Sequence, residues 1–132
     1  MPTTTNLLND HVILVTGGGS GIGRATSAML AADGAIVTIA GLNGNAAAEA
    51  ASEITASGGR ASGVSVDVAD VDAVSGVVAG IVREHGRLDG AFNNAGIEGP
   101  TAKILDLSAQ DWEQVIRVNL TGVFNCMKAE NE

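Results

Sequence analysis

The chain has no tyrosine, one cysteine, a single tryptophan and seven basic residues against fifteen acidic ones. Each shortage excludes something. Without tyrosine no phenol is available as a proton donor or acceptor. With Cys126 alone no intrachain disulfide can form, and a buried, inert thiol is the expected state of that residue. A formal charge of -8 repels phosphate backbones and anionic membrane surfaces, so nucleic acid and membrane are not expected partners. The opening "MPTTTNLLND" carries no basic cluster, and no apolar run approaches the ~20 residues of a membrane span, which predicts a cytoplasmic protein. No metal site is expected.

Glycine is abundant, eighteen residues in a chain of 132. Five of them crowd into "VTGGGSGIGRA" (15–25), which follows the apolar run "HVILV" (11–15). That run predicts a strand buried on both faces. The segment after it places Ile22, Ala25, Met29 and Ala32 at helical spacing and stops at Gly34. The alternation recurs: a strand over 35–40, a helix over 45–57 and a strand over "GVSVDV" (63–68). Asp70 is placed to cap a further helix with Val71, Val74, Val78, Ile81 and Val82 as its apolar stripe, ended by His85 and Gly86. "LDGAFNNAG" (88–96) closes a fourth unit. From Ser108, with Asp111 as its capping partner, Trp112, Val115, Ile116, Val123, Phe124 and Met127 predict a last helix.

Alternating strand and helix implies α/β architecture: parallel strands, right-handed crossovers and helices on both faces. No repeat, low-complexity tract or linker interrupts it, so residues 1–132 read as one domain. In a doubly wound sheet of order 3-2-1-4, the loops after strands 1 and 4 flank the switch point where ligands bind. Here they are the glycine turn and "NNAG".

A glycine turn opening a helix aims backbone N–H groups and a positive dipole end at an anion, and a pyrophosphate fits. The turn is equally read as a device for packing helix on strand. A P-loop is excluded, because Ile22-Gly23-Arg24 stands where lysine and serine or threonine are required. A methyltransferase-like site is disfavoured, because Gly41 and Leu42 stand where an acidic residue would grip a ribose.

Four segments in order, "TGGGSGIG" (16–23), "DV" (67–68), "NNAG" (93–96) and "RVNLTGVF" (117–124), resemble the short-chain dehydrogenase/reductase family, and the resemblance runs from about His11 to Lys128. It implies a Rossmann-type domain that binds NAD or NADP. Gly17, Gly21 and Gly23 would shape the cofactor turn, with Ser20 and Ile22 beside the phosphates. Asp67 would accept from the adenine amino group, with the Val68 backbone next to it. Asn93, Asn94, Ala95 and Gly96 would brace strand 4 and line the ribose. The same residues have plainer readings: Asp67 as a strand-end cap, the asparagines as ties between loops. Leu42 falls at the family's cofactor-selecting place after strand 2, where neither the acidic residue of NAD enzymes nor the basic one of NADP enzymes is present. The preference therefore stays open.

The family's proton-transfer group is a tyrosine with a lysine four residues later, aided by a serine and an asparagine. Asn119 matches that asparagine; the other three are expected beyond residue 132. His11 and His85 are poorly placed to substitute, and Lys103 and Lys128 lack a partner at helical spacing. The resemblance thus implies the cofactor-binding, amino-terminal part of a hydride-transferring oxidoreductase, inactive as given. The alternative is a non-catalytic dinucleotide-binding or interaction module. Members are commonly dimers or tetramers, and the chain is expected to self-associate or to pair with the missing half. "LDGAFNN" would be a bare sheet edge, and Trp112, Val115, Val123 or Phe124 would be left uncovered.

Overall fold

The computed structural model describes residues 6–132; residues 1–5, half of the opening stretch read above as lacking a targeting pattern, lie outside the described part. The elements run β1 (Val12–Thr16), α1 (Gly21–Ala32), β2 (Ile36–Gly41), α2 (Gly44–Ala56), β3 (Arg60–Ser65), α3 (Val71–His85), β4 (Gly90–Asn93), α4 (Ala109–Ile116) and α5 (Gly122–Glu130). A single 3-10 turn at Ile104–Asp106 precedes α4, and a π-helical turn at Arg117–Thr121 joins α4 to α5. The strands form one parallel sheet, as the alternation of elements predicts, in the order β3-β2-β1-β4 of the doubly wound arrangement. Among the described residues no helix is long and apolar enough to cross a membrane.

The sheet is covered on both faces. Val15, Val37 and Ile39 pack against Ala31 of α1 and against Ala47, Ala50, Ala51 and Ile54 of α2. On the other face Val12, Leu14 and Ala40 pack against Val74, Val78 and Ile81 of α3 and Cys126 and Ala129 of α5. The helix ends follow the sequence signals. Asp70 accepts from the amides of Asp72 and Ala73, both at 3.1 Å, and Gly86 closes α3 in the left-handed conformation. Ser108 and Asp111 form a reciprocal capping box.

Four expectations from apolar spacing are corrected. The third strand is Arg60–Ser65 rather than 63–68, because its pairing lasts only while β2 does: Ile36 lies opposite Arg60 and Gly41 opposite Ser65. Val66 and Val68 are buried beyond the strand, in the core under α3 and α5. On α1 the buried face is Gly23, Ser27 and Ala31, while Ile22 and Met29 are exposed. On the last helix the buried residues are Gly122, Asn125, Cys126 and Ala129 and Met127 stands in solvent, while Trp112 and Phe124 are exposed, as expected of an uncovered face. Val71 and Val82 at the flanks of the α3 stripe are exposed as well.

β4 is fixed to β1 by Asp89, just ahead of the strand. Its Oδ2 accepts from the Val12 amide at 2.7 Å, while Oδ1 accepts from Arg87 Nε at 2.8 Å and Nη2 at 2.6 Å. The Arg87 hydrogen bond, and after it that of Val12, holds the Asp89 carboxyl below its ordinary value of 3.8. A depressed carboxyl stabilises the fold fully above its unfolded value, and that contribution is lost as pH falls through the folded value. Asp89→Asn should therefore lower the denaturant midpoint at neutral pH. The difference from the parent chain should shrink steadily as the solution is acidified below the ordinary carboxylate range; a difference independent of pH would contradict this role.

Candidate functional site

The turn after β1 is closed from beneath. The Gly17 amide donates to Ala40 O at 2.7 Å, which ties the turn to the end of β2, and Gly17 holds a φ of +65°. Ser20 is extended, with φ -154° and ψ 166°, and caps α1 without a side-chain hydrogen bond to the helix amides. The first N–H groups of α1 thus have no side-chain partner, which leaves them for an anion at the positive end of the helix.

Gly21 and Gly23, two residues apart, have opposite surroundings. At Gly21, with φ +53°, a Cβ would meet nothing within 4 Å. At Gly23 a Cβ would collide with the carbonyl oxygen of Gly17 and lie 2.6 Å from Asn94 Nδ2. The turn is therefore open on the side where α1 begins and closed where α1 meets the strand loops. Ser27 Oγ, fully buried, donates to Gly23 O at 2.8 Å and holds the helix at that approach.

The loop after β4 completes the same constellation. Asn94 Nδ2 donates to Gly17 O at 3.2 Å, and the Ala95 amide donates to Thr16 Oγ1 at 3.2 Å, so the two switch-point loops are bonded to each other. Asn119, in the π-helical turn, brackets one residue: its Oδ1 accepts from the Ile97 amide at 2.7 Å and its Nδ2 donates to Ile97 O at 2.8 Å. Gly96 lies beside it, with space for a Cβ 3.2 Å from Asn119 Oδ1. Asn93 does not join this group. Its Nδ2 donates to Glu130 Oε2 at 2.9 Å, across to the end of α5.

At the end of the third unit Asp67 Oδ1 accepts from the Ala69 amide at 2.9 Å, and Val68 is buried with its carbonyl accepting from Asn125 Nδ2 at 2.9 Å. Leu42 is three-quarters exposed after β2, its carbonyl accepting from Ser65 Oγ at 3.3 Å. Ser20 and Ile22 are likewise exposed at the start of α1. Thr16, Ser27, Asn125 and Glu130 are the supporting side chains that sequence reasoning did not single out. For Asn125 the available signal was a polar residue one turn on from Thr121, between small residues of the buried helix face.

The arrangement presents backbone donors, one acidic side chain and open space, which suits the pyrophosphate and adenosine of a dinucleotide. The room at Gly21 and the uncapped α1 amides leave a site that an anion could enter. Reactive side chains are scarce. Burial, reinforced by the charge of Glu130, pushes the Cys126 thiol up to about 11, so a thiolate nucleophile is not formed at neutral pH. Among the described residues no three His, Cys, Asp or Glu side chains converge as for a metal ion.

The sequence pattern of the short chain dehydrogenase family matches residues 11–130. The chain is 44% identical over 121 residues to a 2,5-dichloro-2,5-cyclohexadiene-1,4-diol dehydrogenase of Sphingobium indicum, covering 92% of this chain and 47% of that protein. It is 40% identical over 126 residues to a cyclohexanol dehydrogenase of an Acinetobacter species, covering 96% of this chain and 50% of that one. Among solved structures, NAD+-bound xylitol dehydrogenase superposes with a TM-score of 0.89 at 36% identity, covering 93% of this chain and 47% of that one. A citronellol catabolism dehydrogenase of Pseudomonas aeruginosa PAO1 superposes with a TM-score of 0.86 at 38% identity, covering 93% and 50%. The chain spans about half the length of these relatives and corresponds to their amino-terminal part. With nearly its whole length matched, the chain belongs to the short chain dehydrogenase family.

Proposed function

We propose that this chain binds the adenosine diphosphate half of a nicotinamide dinucleotide, as part of an oxidoreductase that exchanges hydride with an alcohol or carbonyl substrate. The contrast between Gly21 and Gly23 carries the reading: the turn leaves room only on the side where a pyrophosphate would meet the amides of α1. Ser20 and Ile22 would flank the phosphates, Asp67 would accept from the adenine amino group, and the Asn94–Gly96 loop would lie along the ribose. Leu42 would border the adenosine on the β2 side. Asn93, bonded to Glu130, would brace β4 rather than touch the ligand. When bound, the dinucleotide supplies the hydride chemistry; these residues hold it and set its direction.

Asn119 acts in this reading as a positioning residue, since both ends of its amide are engaged by Ile97. The sequence contains no tyrosine to pass a proton to a substrate oxygen, and a missing general acid typically forfeits ~10²–10⁴ in rate. Purified chain mixed with NADH or NADPH and a panel of aldehydes and ketones should show no consumption of reduced cofactor above buffer. Steady turnover would overturn the assignment of proton transfer to a group outside these residues.

The binding claim is checked by calorimetry with ADP-ribose. Gly21→Val should abolish the binding heat, because a branched side chain would occupy the open space and strain the positive φ. Gly23→Ala should act on stability instead: the added methyl overlaps Gly17 O and forces the turn apart, with an expected loss of about 1–3 kcal/mol in urea unfolding. A Gly23→Ala chain as stable as the parent would contradict the closed packing described here.

A further inference from the structure

We infer that the outward face of α3 is an interface for a second copy of this chain, which lays its own α3 antiparallel across it.

α3 turns Val74, Val78 and Ile81 to the sheet. By helical spacing the side opposite that stripe is Asp72, Gly76, Ala79 and Arg83, flanked by Ser75 and Gly80. The solvent side of a surface helix is ordinarily charged or polar. Here nothing larger than a serine side chain stands between the aspartate at one end and the arginine at the other. Two of these residues are glycines, which weaken a helix interior relative to alanine, and nothing within the chain requires them. A Cβ at Gly76 would meet nothing within 4 Å, and one at Gly80 would meet only Arg83 Nη2 at 3.7 Å. Gly23 and Gly122 on the other helices are different, because each admits a neighbour that a Cβ would strike. The α3 glycines flatten a face that no part of this chain covers.

The charges say what covers it. Among the described residues neither the Asp72 nor the Arg83 side chain makes an ion pair or a hydrogen bond, while neighbouring Glu84 lies 3.8 Å from His85 Nε2. In a parallel pair of α3 helices aspartate would meet aspartate and arginine would meet arginine. In an antiparallel pair, about a twofold axis between Val77 and Val78, Asp72 of each copy lies opposite Arg83 of the other, Gly76 opposite Ala79 and Ser75 opposite Gly80. Small residues then meet small residues, so the backbones approach closely, and both ends close on unlike charges. A net charge of -8 opposes association through the chain's surface at large, whereas this face is neutral.

The margins fit a second helix as well. On one flank Val71 and Val82 are 48% and 43% exposed and would be covered. On the other an open groove of about 810 Å³ runs between Ala73 and Gly80 of α3 and Ser62 and Val64 of β3, which gives the incoming helix room beside the sheet. With 15 residues α3 is about 22 Å long. The pair therefore falls at the small end of specific interfaces, with a Kd on the order of 100 µM.

The test is sedimentation equilibrium from about 10 µM to about 1 mM, a range that brackets this affinity. The samples are the parent chain, Asp72→Arg, Arg83→Asp, an equal mixture of those two variants, and Gly76→Gln, each first checked for cooperative unfolding. Asp72→Arg sets arginine against arginine across the axis, and Arg83→Asp sets aspartate against aspartate. Each should dimerise about tenfold more weakly, two unlike contacts having become two like ones. In the mixture both contacts are again arginine against aspartate, so a heterodimer should form with the parent's affinity. Gly76→Gln, a better helix former but too large for the close approach, should raise the unfolding midpoint of the dilute chain and weaken its dimer. A parent chain that stays monomeric over the whole range overturns the inference. So does association that neither charge reversal changes, the result expected if Trp112 and Phe124 carried it. Loss in both variants without recovery in the mixture overturns the antiparallel pairing, and a dimer unchanged in Gly76→Gln overturns the close approach of the helices.

Discussion

The site depends on one close approach, that of Gly23 to the carbonyl of Gly17 and the amide of Asn94. No side-chain atom fits between them. Because α1 sits this near the strand ends, its amides point at the space above the sheet rather than into a loop, and the helix dipole is spent on that space. Asn94 makes the approach a three-way contact: it joins the loop after β4 to the turn after β1, while Thr16 Oγ1 takes the Ala95 amide on the other side. Turn, helix start and switch-point loop are therefore bonded into one unit.

The parallel register delivers those pieces. Thr16 lies opposite Ala40 on β2 and opposite Asn93 on β4, so three strands end at one level. Loops leaving at that level form one crevice without further adjustment, the placement expected of a doubly wound sheet. α5 supports it from below, where Gly122 admits Val68 and Asn125 holds the Val68 carbonyl next to Asp67. The crevice is furnished with backbone donors at the start of α1 and with the Asp67 carboxylate, and with little that could move a proton.

Much of this was legible in the sequence. The alternation of elements predicts the parallel pairing, the glycine spacing predicts the turn, and Asp70 and Ser108–Asp111 mark helix starts where the structure has them. What misled was the assumption that the most apolar residues face the core. Where a helix lies very close to the sheet, size decides: α1 buries Gly23, Ser27 and Ala31 and turns out Ile22 and Met29. α5 repeats the pattern with Gly122, Asn125, Cys126 and Ala129 inward and Met127 outward. The end of β3 was misplaced because Val66 and Val68 look like strand residues but continue past the last residue of β2 into the core. The bond from Asn93 to Glu130 joins residues 37 apart, and no local pattern signals a pairing of that range.

The central claim is that the glycine turn, Asp67 and the loop after β4 form one dinucleotide-binding surface. Amide chemical shifts recorded by NMR during a titration with ADP-ribose read that surface residue by residue. The account predicts saturable shifts concentrated at Gly17–Gly23, at Asp67 and Val68, and at Asn94–Gly96, with α3 and the first half of β3 unmoved. Shifts centred elsewhere, or confined to one of the three segments, would contradict it.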